Sequence, residues 1–175
     1  MRTNRQEDFL EECRSLSLTA RLLLALMIFE RFCVQKGIVH TEIEQFVEYL
    51  WQWPAINGPD EFNPWENSRP HLVNYGLGDE IHKEVLSNLE AKGVSEQSFR
   101  DIVSGVVEIL WGNFWGAPDD DGSFRMLRQV VEAAKVDPLP SITPFKFSRF
   151  LDNSGWGQRP TVSDYTFWKA CRGYA

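Results

Sequence analysis

Residues 17–37 read SLTARLLLALMIFERFCVQKG, and this stretch decides the fold class. An ordinary surface helix carries an apolar stripe and a polar face. Here residues 22–29 place apolar side chains on every side of the helical wheel. Such a helix must be enclosed by other helices. Its ends are marked as well: Ser17 suits the capping position, and Gly37 suits the left-handed residue just past the last turn. The apolar run is bounded by Arg21, Glu30 and Arg31 and is far short of the roughly 20 residues that span a bilayer. It also lies too far from Met1, behind several acidic residues, for a secretory signal. The expectation is a soluble, cytoplasmic protein built around one central helix.

The flanks follow suit. NRQEDFLEECRSL predicts a first helix with Phe9, Leu10 and Cys13 on one side and Asn4 as its cap. In HTEIEQFVEYLWQWP, Thr41 and Glu44 match a capping box, and Ile43, Phe46, Val47, Leu50 and Trp51 form a buried stripe. Glu42, Glu44, Glu48, Tyr49 and Gln52 occupy the other face, and Pro54 ends the helix.

Residues 54–78 hold four prolines and three glycines with no periodic segment, and read as a long loop. Phe62, Trp65, Leu72, Val73 and Tyr75 predict that it is packed down. Helices follow over 79–93, over 95–116 beginning at Ser95, and over 121–135. A short one is capped by Thr143 with Pro144 at its first position, and a closing one is capped by Ser163. No sustained β alternation and no internal repeat occurs. The reading is an all-α, single-domain bundle of about six to eight helices covering residues 1–175, with a long packed loop near 54–78.

A chain of 175 residues, 43% apolar and 25% charged, is long enough to bury a substantial core. Cys13, Cys33 and Cys171 are odd in number and lack CxxC spacing, so they read as reduced thiols and not as a disulfide framework or a zinc site. The formal charge of −7 is unevenly spread: residues 37–68 contain six acidic groups and no lysine or arginine. Residues 138–175 carry five basic and two acidic groups. An acidic surface repels nucleic-acid phosphates and anionic membranes and attracts basic partners.

Catalytic and ligand motifs are missing. His40, His71 and His82 show no metal-ligand spacing and read as capping or surface histidines. Asp119, Asp120 and Asp121 lack the alternating oxygens and distant glutamate of a calcium loop, and read as negative charge at a helix N-terminus. Cys33 sits in the most apolar helix and reads as inert packing. Glu44 and Glu48 have no nucleophile or oxyanion donor converging on them. Lys146, Arg149 and Arg159 alternate with Phe145, Phe147, Phe150 and Trp156, which suits a core face with solvated charges, or a dock for the chain's own acidic segment, better than nucleic-acid binding. No cofactor or metal is expected.

What remains is the acidic helix face continuing into WQWPAINGPDEFNPWE, residues 51–66. Aromatics supply anchor area while carboxylates steer and pair with basic groups. The candidate partner-binding residues are therefore Glu42, Glu44, Glu48, Tyr49, Trp53, Asp60, Glu61, Trp65 and Glu66. The exposure of Trp53 and Trp65 separates a binding face from a packed lid.

The segment LLLALMIFERFCVQKGIVHTEIEQFVEYLWQWP, about a fifth of the chain, resembles the opening helix pair of a group of bacterial all-α proteins. The acidic, aromatic-rich, motif-free whole resembles immunity proteins of contact-dependent and other polymorphic toxin systems. That resemblance implies a non-catalytic inhibitor whose acidic surface blocks the cleft of a basic toxin domain, commonly a nuclease. The alternative is a small helical enzyme, or enzyme accessory, with a pocket under residues 54–78 that uses His71 or His82.

Overall fold

The computed structural model describes residues 4–172. The described residues form nine α-helices and three 3-10 turns, with no strand beyond an isolated Leu16–Arg149 bridge. The helices are α1 (Asn4–Cys13), α2 (Leu18–Lys36), α3 (Thr41–Trp51), α4 (Gly58–Asn67), α5 (His71–Gly76), α6 (Lys83–Ala91), α7 (Glu96–Trp111), α8 (Asp120–Ala134) and α9 (Val162–Ala170). None of them is long and apolar enough to cross a membrane.

Helix α2 is the axis of the bundle. Residues 18–29 are all buried, and the helix packs against α3, α7 and α8. Helix α7 also packs on α5 and α8, and α3 also packs on α5. Ser17 accepts a hydrogen bond from the Ala20 amide, and Gly37 closes the other end with φ 68°, as its sequence predicts.

Several local expectations are corrected. Residues 54–78 are not a loop: they contain the 3-10 turn Trp53–Ala55 and the helices α4 and α5. Gly58, Pro59 and Pro64 break the apolar periodicity without preventing helix formation, because α4 is anchored by Trp65. Helix α3 is capped by His40, whose Nδ1 accepts from the Glu42 amide at 3.1 Å, and not by Thr41. Thr161, with Asp164, forms the capping box of α9 in place of Ser163. Asn4 is already helical, so the cap of α1 lies outside the described residues. The Thr143–Phe145 stretch makes a 3-10 turn only. The aspartates behave as read: Asp119 caps α8 by accepting from the Gly122 amide, with Asp120 and Asp121 in the first turn.

One charge lies inside this apolar frame. Arg21 is fully buried on α2. Its Nη1 donates to the Asp120 carbonyl at 2.9 Å and the Ser123 hydroxyl at 2.8 Å. Its Nη2 donates to the Arg14 carbonyl at 2.7 Å and pairs with the Asp120 carboxylate at 2.7 Å. Burial lowers its pKa, and the Asp120 bond opposes that shift. A single guanidinium thus ties the α1–α2 corner to the start of α8. A lysine presents one point charge and cannot copy this planar fork.

Arg21→Ala would leave Asp120, Ser123 and the Arg14 carbonyl without their donor. It is expected to cost about 3–5 kcal/mol in urea unfolding, with Arg21→Lys recovering little of it. A loss below about 1 kcal/mol would contradict this role. Burial also pushes the Cys13 thiol up to about 12 and raises that of Cys33. Thiol reagents at about pH 8 are expected to label half-buried Cys171 and spare the other two until the protein unfolds.

Candidate functional site

The acidic and aromatic residues singled out in the sequence part into two groups in space. Tyr49 and Trp65 are not surface residues: both are buried. Their rings stack with centroids 4.6 Å apart and planes 1° from parallel. The Tyr49 hydroxyl donates to the Trp65 carbonyl at 2.9 Å, and the Trp65 indole donates to the Tyr49 carbonyl at 3.2 Å. This reciprocal pair staples α4 onto α3. Burial pushes the Tyr49 phenol well above its ordinary range.

Three carboxylates are already engaged within the chain. Glu42 accepts from His82 Nδ1 at 2.8 Å. Glu66 pairs with Arg69 at 2.6 Å and accepts from the Trp111 indole at 3.4 Å. Glu48 lies 2.7 Å from Arg172, which also pairs with Glu30 at 3.0 Å and sits over the Trp51 ring. The C-terminal basic segment therefore does dock on the acidic tract, through Arg172 and not through Lys146, Arg149 or Arg159. Glu30 further accepts from the Trp51 indole at 3.1 Å. Burial raises the Glu30 carboxyl above its usual range, and Arg172 offsets only part of that. Arg172 loses solvent too, but its bonds to Glu48 and Glu30 outweigh the loss and raise its pKa. Glu44, Asp60 and Glu61 remain exposed; Glu61 accepts from the Asn57 amide at 2.7 Å.

Trp53 is half-buried and belongs to a larger ring assembly. Its indole donates to the Thr19 hydroxyl at 3.2 Å. Its ring centroid lies 5.3 Å from Phe114 and 5.4 Å from both Trp65 and Trp156. Phe62 meets Phe114 edge-on at 5.0 Å. Phe114 in turn meets Trp115 at 5.6 Å. Trp115 is 73% exposed, unusual for a side chain of that size on a firm support. The turn that carries it is tied down by buried Asn113, whose side chain donates to the Ile109 carbonyl at 3.0 Å and accepts from the Asp119 amide at 2.6 Å. A ridge of Trp115, Phe114, Phe62 and Trp53 thus reaches the surface beside Asp60 and Glu61. Sequence reasoning did not select Trp115. The available signal was WGNFWGAP, where Trp115 falls past the end of α7 between two glycines and is freed from the helical stripe.

His71 and His82 are stacked on one another at 3.6 Å on the surface, with His71 Nε2 donating to the Glu80 carbonyl at 2.8 Å. Neither lines the groove between α1 and residues 132–143 or the hollow beside Trp53. Among the described residues no group of three or more histidine, cysteine or carboxylate side chains is placed to hold a metal ion. No family model, no curated protein and no solved structure matches the chain.

The Glu30 geometry has a pH consequence. The unfolded carboxyl titrates near 4.5 and the folded one higher, so the folded chain holds its proton over a window above 4.5. Stability present below that value is lost as pH rises through the folded pKa. In paired thermal melts, wild type is expected to lose stability relative to Glu30→Gln between about pH 4 and pH 7. A difference that stays constant, or moves in favour of wild type, would contradict this.

Proposed function

We propose that the protein is a non-catalytic inhibitor of the immunity-protein kind, which binds and neutralises a basic toxin domain. The observation that carries this reading is Trp115, an exposed indole that meets Phe114 edge-on, on a turn that Asn113 ties to α7 and Asp119, with Phe62 and Trp53 packed against Phe114. Large rigid aromatics at a surface are the commonest energetic anchors of protein interfaces, because they bury much area at low entropic cost. The adjoining carboxylates Asp60 and Glu61 face solvent, and a tract of 32 residues around them, 37–68, has no lysine or arginine. A basic partner would be steered to that side of the ridge.

The proposed surface is narrower than the one read from sequence. Trp53, Asp60 and Glu61 stay in it, with Trp53 as backing. Trp115, Phe114 and Phe62 are added. Tyr49 and Trp65 leave because they are buried, and Glu42, Glu48 and Glu66 leave because they are paired within the chain. Glu44 lies on α3, which carries none of the ridge residues.

The test is co-expression with a secreted effector whose gene adjoins this one. The chain is expected to form a complex with the effector's basic domain and restore growth. Trp115→Ala should weaken binding about 30-fold or more, a loss of at least about 2 kcal/mol, without lowering thermal stability. Reversing Asp60 and Glu61 to lysine should slow association, most strongly at low salt. Wild-type affinity and protection in both variants would place the interface elsewhere, and absence of any complex would reject the reading.

A further inference from the structure

We infer that the hollow bounded by Trp53 and Trp156 is a binding site for a single sugar ring. The hollow, of about 280 Å3, lies between residues 53–57 and residues 153–160, with Thr19 in its lining. This volume is just below the range of roughly 300–1,000 Å3 typical of small-molecule pockets and suits a single saturated ring.

The wall formed by residues 153–157 is built at a conformational cost. Asn153 and Ser154 have φ of 51° and 54°, where non-glycine residues are uncommon, and Gly155 and Gly157 follow at 97° and 84°. The two glycines are also sterically required. A Cβ on Gly157 would lie 2.4 Å from the Ser148 hydroxyl and 2.6 Å from the Ser17 Cβ. One on Gly155 would lie 2.9 Å from the Phe150 ring. The buried Ser17–Ser148 pair, with hydroxyls 2.6 Å apart, pins the backbone underneath. The result of this strain is one placement: Trp156 stands 5.4 Å from Trp53, with 54° between the ring planes. Backbone strain that the surroundings over-determine tends to gather where a ligand is clamped.

The polar rim points the same way. The side chains of Asn57, Asn153, Gln158 and Arg159 form no hydrogen bond or ion pair with any described residue. Asn57 precedes α4 yet does not use its side chain as a cap. The Thr19 oxygen accepts from the Trp53 indole, which leaves its own O–H able to donate.

The ligand class follows from the walls and the rim together. Two indoles meeting at 54° form a corner, so a flat heteroaromatic ring could lie along only one of them. A puckered ring can set C–H groups against both walls and direct hydroxyls outward to the amides. Asn and Gln side chains each offer donors and an acceptor, which is what hydroxyl groups need. The single charged lining residue is a cation, Arg159, which disfavours a lysine or arginine side chain as occupant. The hollow shares Trp53 with the partner-binding ridge, but its assignment does not rest on partner binding.

The test is saturation-transfer NMR on the full chain with the methyl glycosides of glucose, galactose, mannose and N-acetylglucosamine, and with adenine, which carries no sugar, as the flat comparison. At least one glycoside is expected to bind with a Kd of roughly millimolar order and to change tryptophan emission, while adenine does not bind. Gln158→Ala combined with Arg159→Ala removes two exposed side chains and should leave Tm unchanged while weakening that binding about tenfold or more. Trp156→Phe, which keeps an aromatic ring at this position, should weaken it as well. No binding by any of the four glycosides, binding unchanged in both variants, or adenine binding in preference would each overturn the assignment.

Discussion

A helix that is apolar around its whole circumference has no face to give to water, and α2 is such a helix. Every residue from 18 to 29 is buried, so the remaining elements have to be arranged as its covering. Each large aliphatic side chain shielded there contributes on the order of 1.5–3 kcal/mol, which makes the enclosure the dominant stabilising term. Helices α3, α7 and α8 supply most of the cover, and residues 145–150 with the 153–157 turn close the end where Ser17 starts the helix. The one charged breach, Arg21, is tolerated because three hydrogen-bond acceptors and the paired Asp120 carboxylate converge on it from α8 and the α1–α2 corner. Charge in the core here serves to fix how three elements meet.

The acidic tract has two distinct physical uses. Around Glu30, Glu48 and Glu66 the carboxylates hold Arg172, Arg69 and two indole N–H groups, so they connect elements of the chain to one another. Such pairs at the periphery add little stability singly, but they fix orientation. Around Asp60 and Glu61 the carboxylates face solvent next to a ring ridge. The sign of the charge is the same in both places. Only the presence of a cation on a neighbouring element distinguishes them.

The aromatic residues divide in the same way. Trp51, Trp65 and Trp168 are interior, Trp53 and Trp156 are half-buried walls of a hollow, and Trp115 stands in solvent. Periodicity identified Trp51 correctly because it belongs to the stripe of α3. It offered nothing for Trp65, since Pro59 and Pro64 conceal the helix that carries it. It mislaid Tyr49, which the helical wheel of α3 alone puts with the glutamates. Tyr49 is buried because α4 folds back over that side of α3 and its hydroxyl meets the Trp65 carbonyl. Caps were read to within a residue or two: His40 displaced Thr41 because an imidazole nitrogen can accept from the helix just as a hydroxyl does.

The sequence by itself determined the all-α class, the central helix with both its ends, the buried stripes of α3 and α7, and the acidic first turn of α8. These are consequences of local periodicity and capping chemistry, which act within a few residues. Tertiary structure alone decided which carboxylates are spent on internal pairs, which tryptophans reach the surface, and that Trp53 and Trp156, more than 100 residues apart, bound one hollow. The physical reason is that exposure and pairing depend on what a neighbouring element brings into contact. For Tyr49, Glu48 and Trp156 that neighbour lies outside the range over which sequence periodicity carries information.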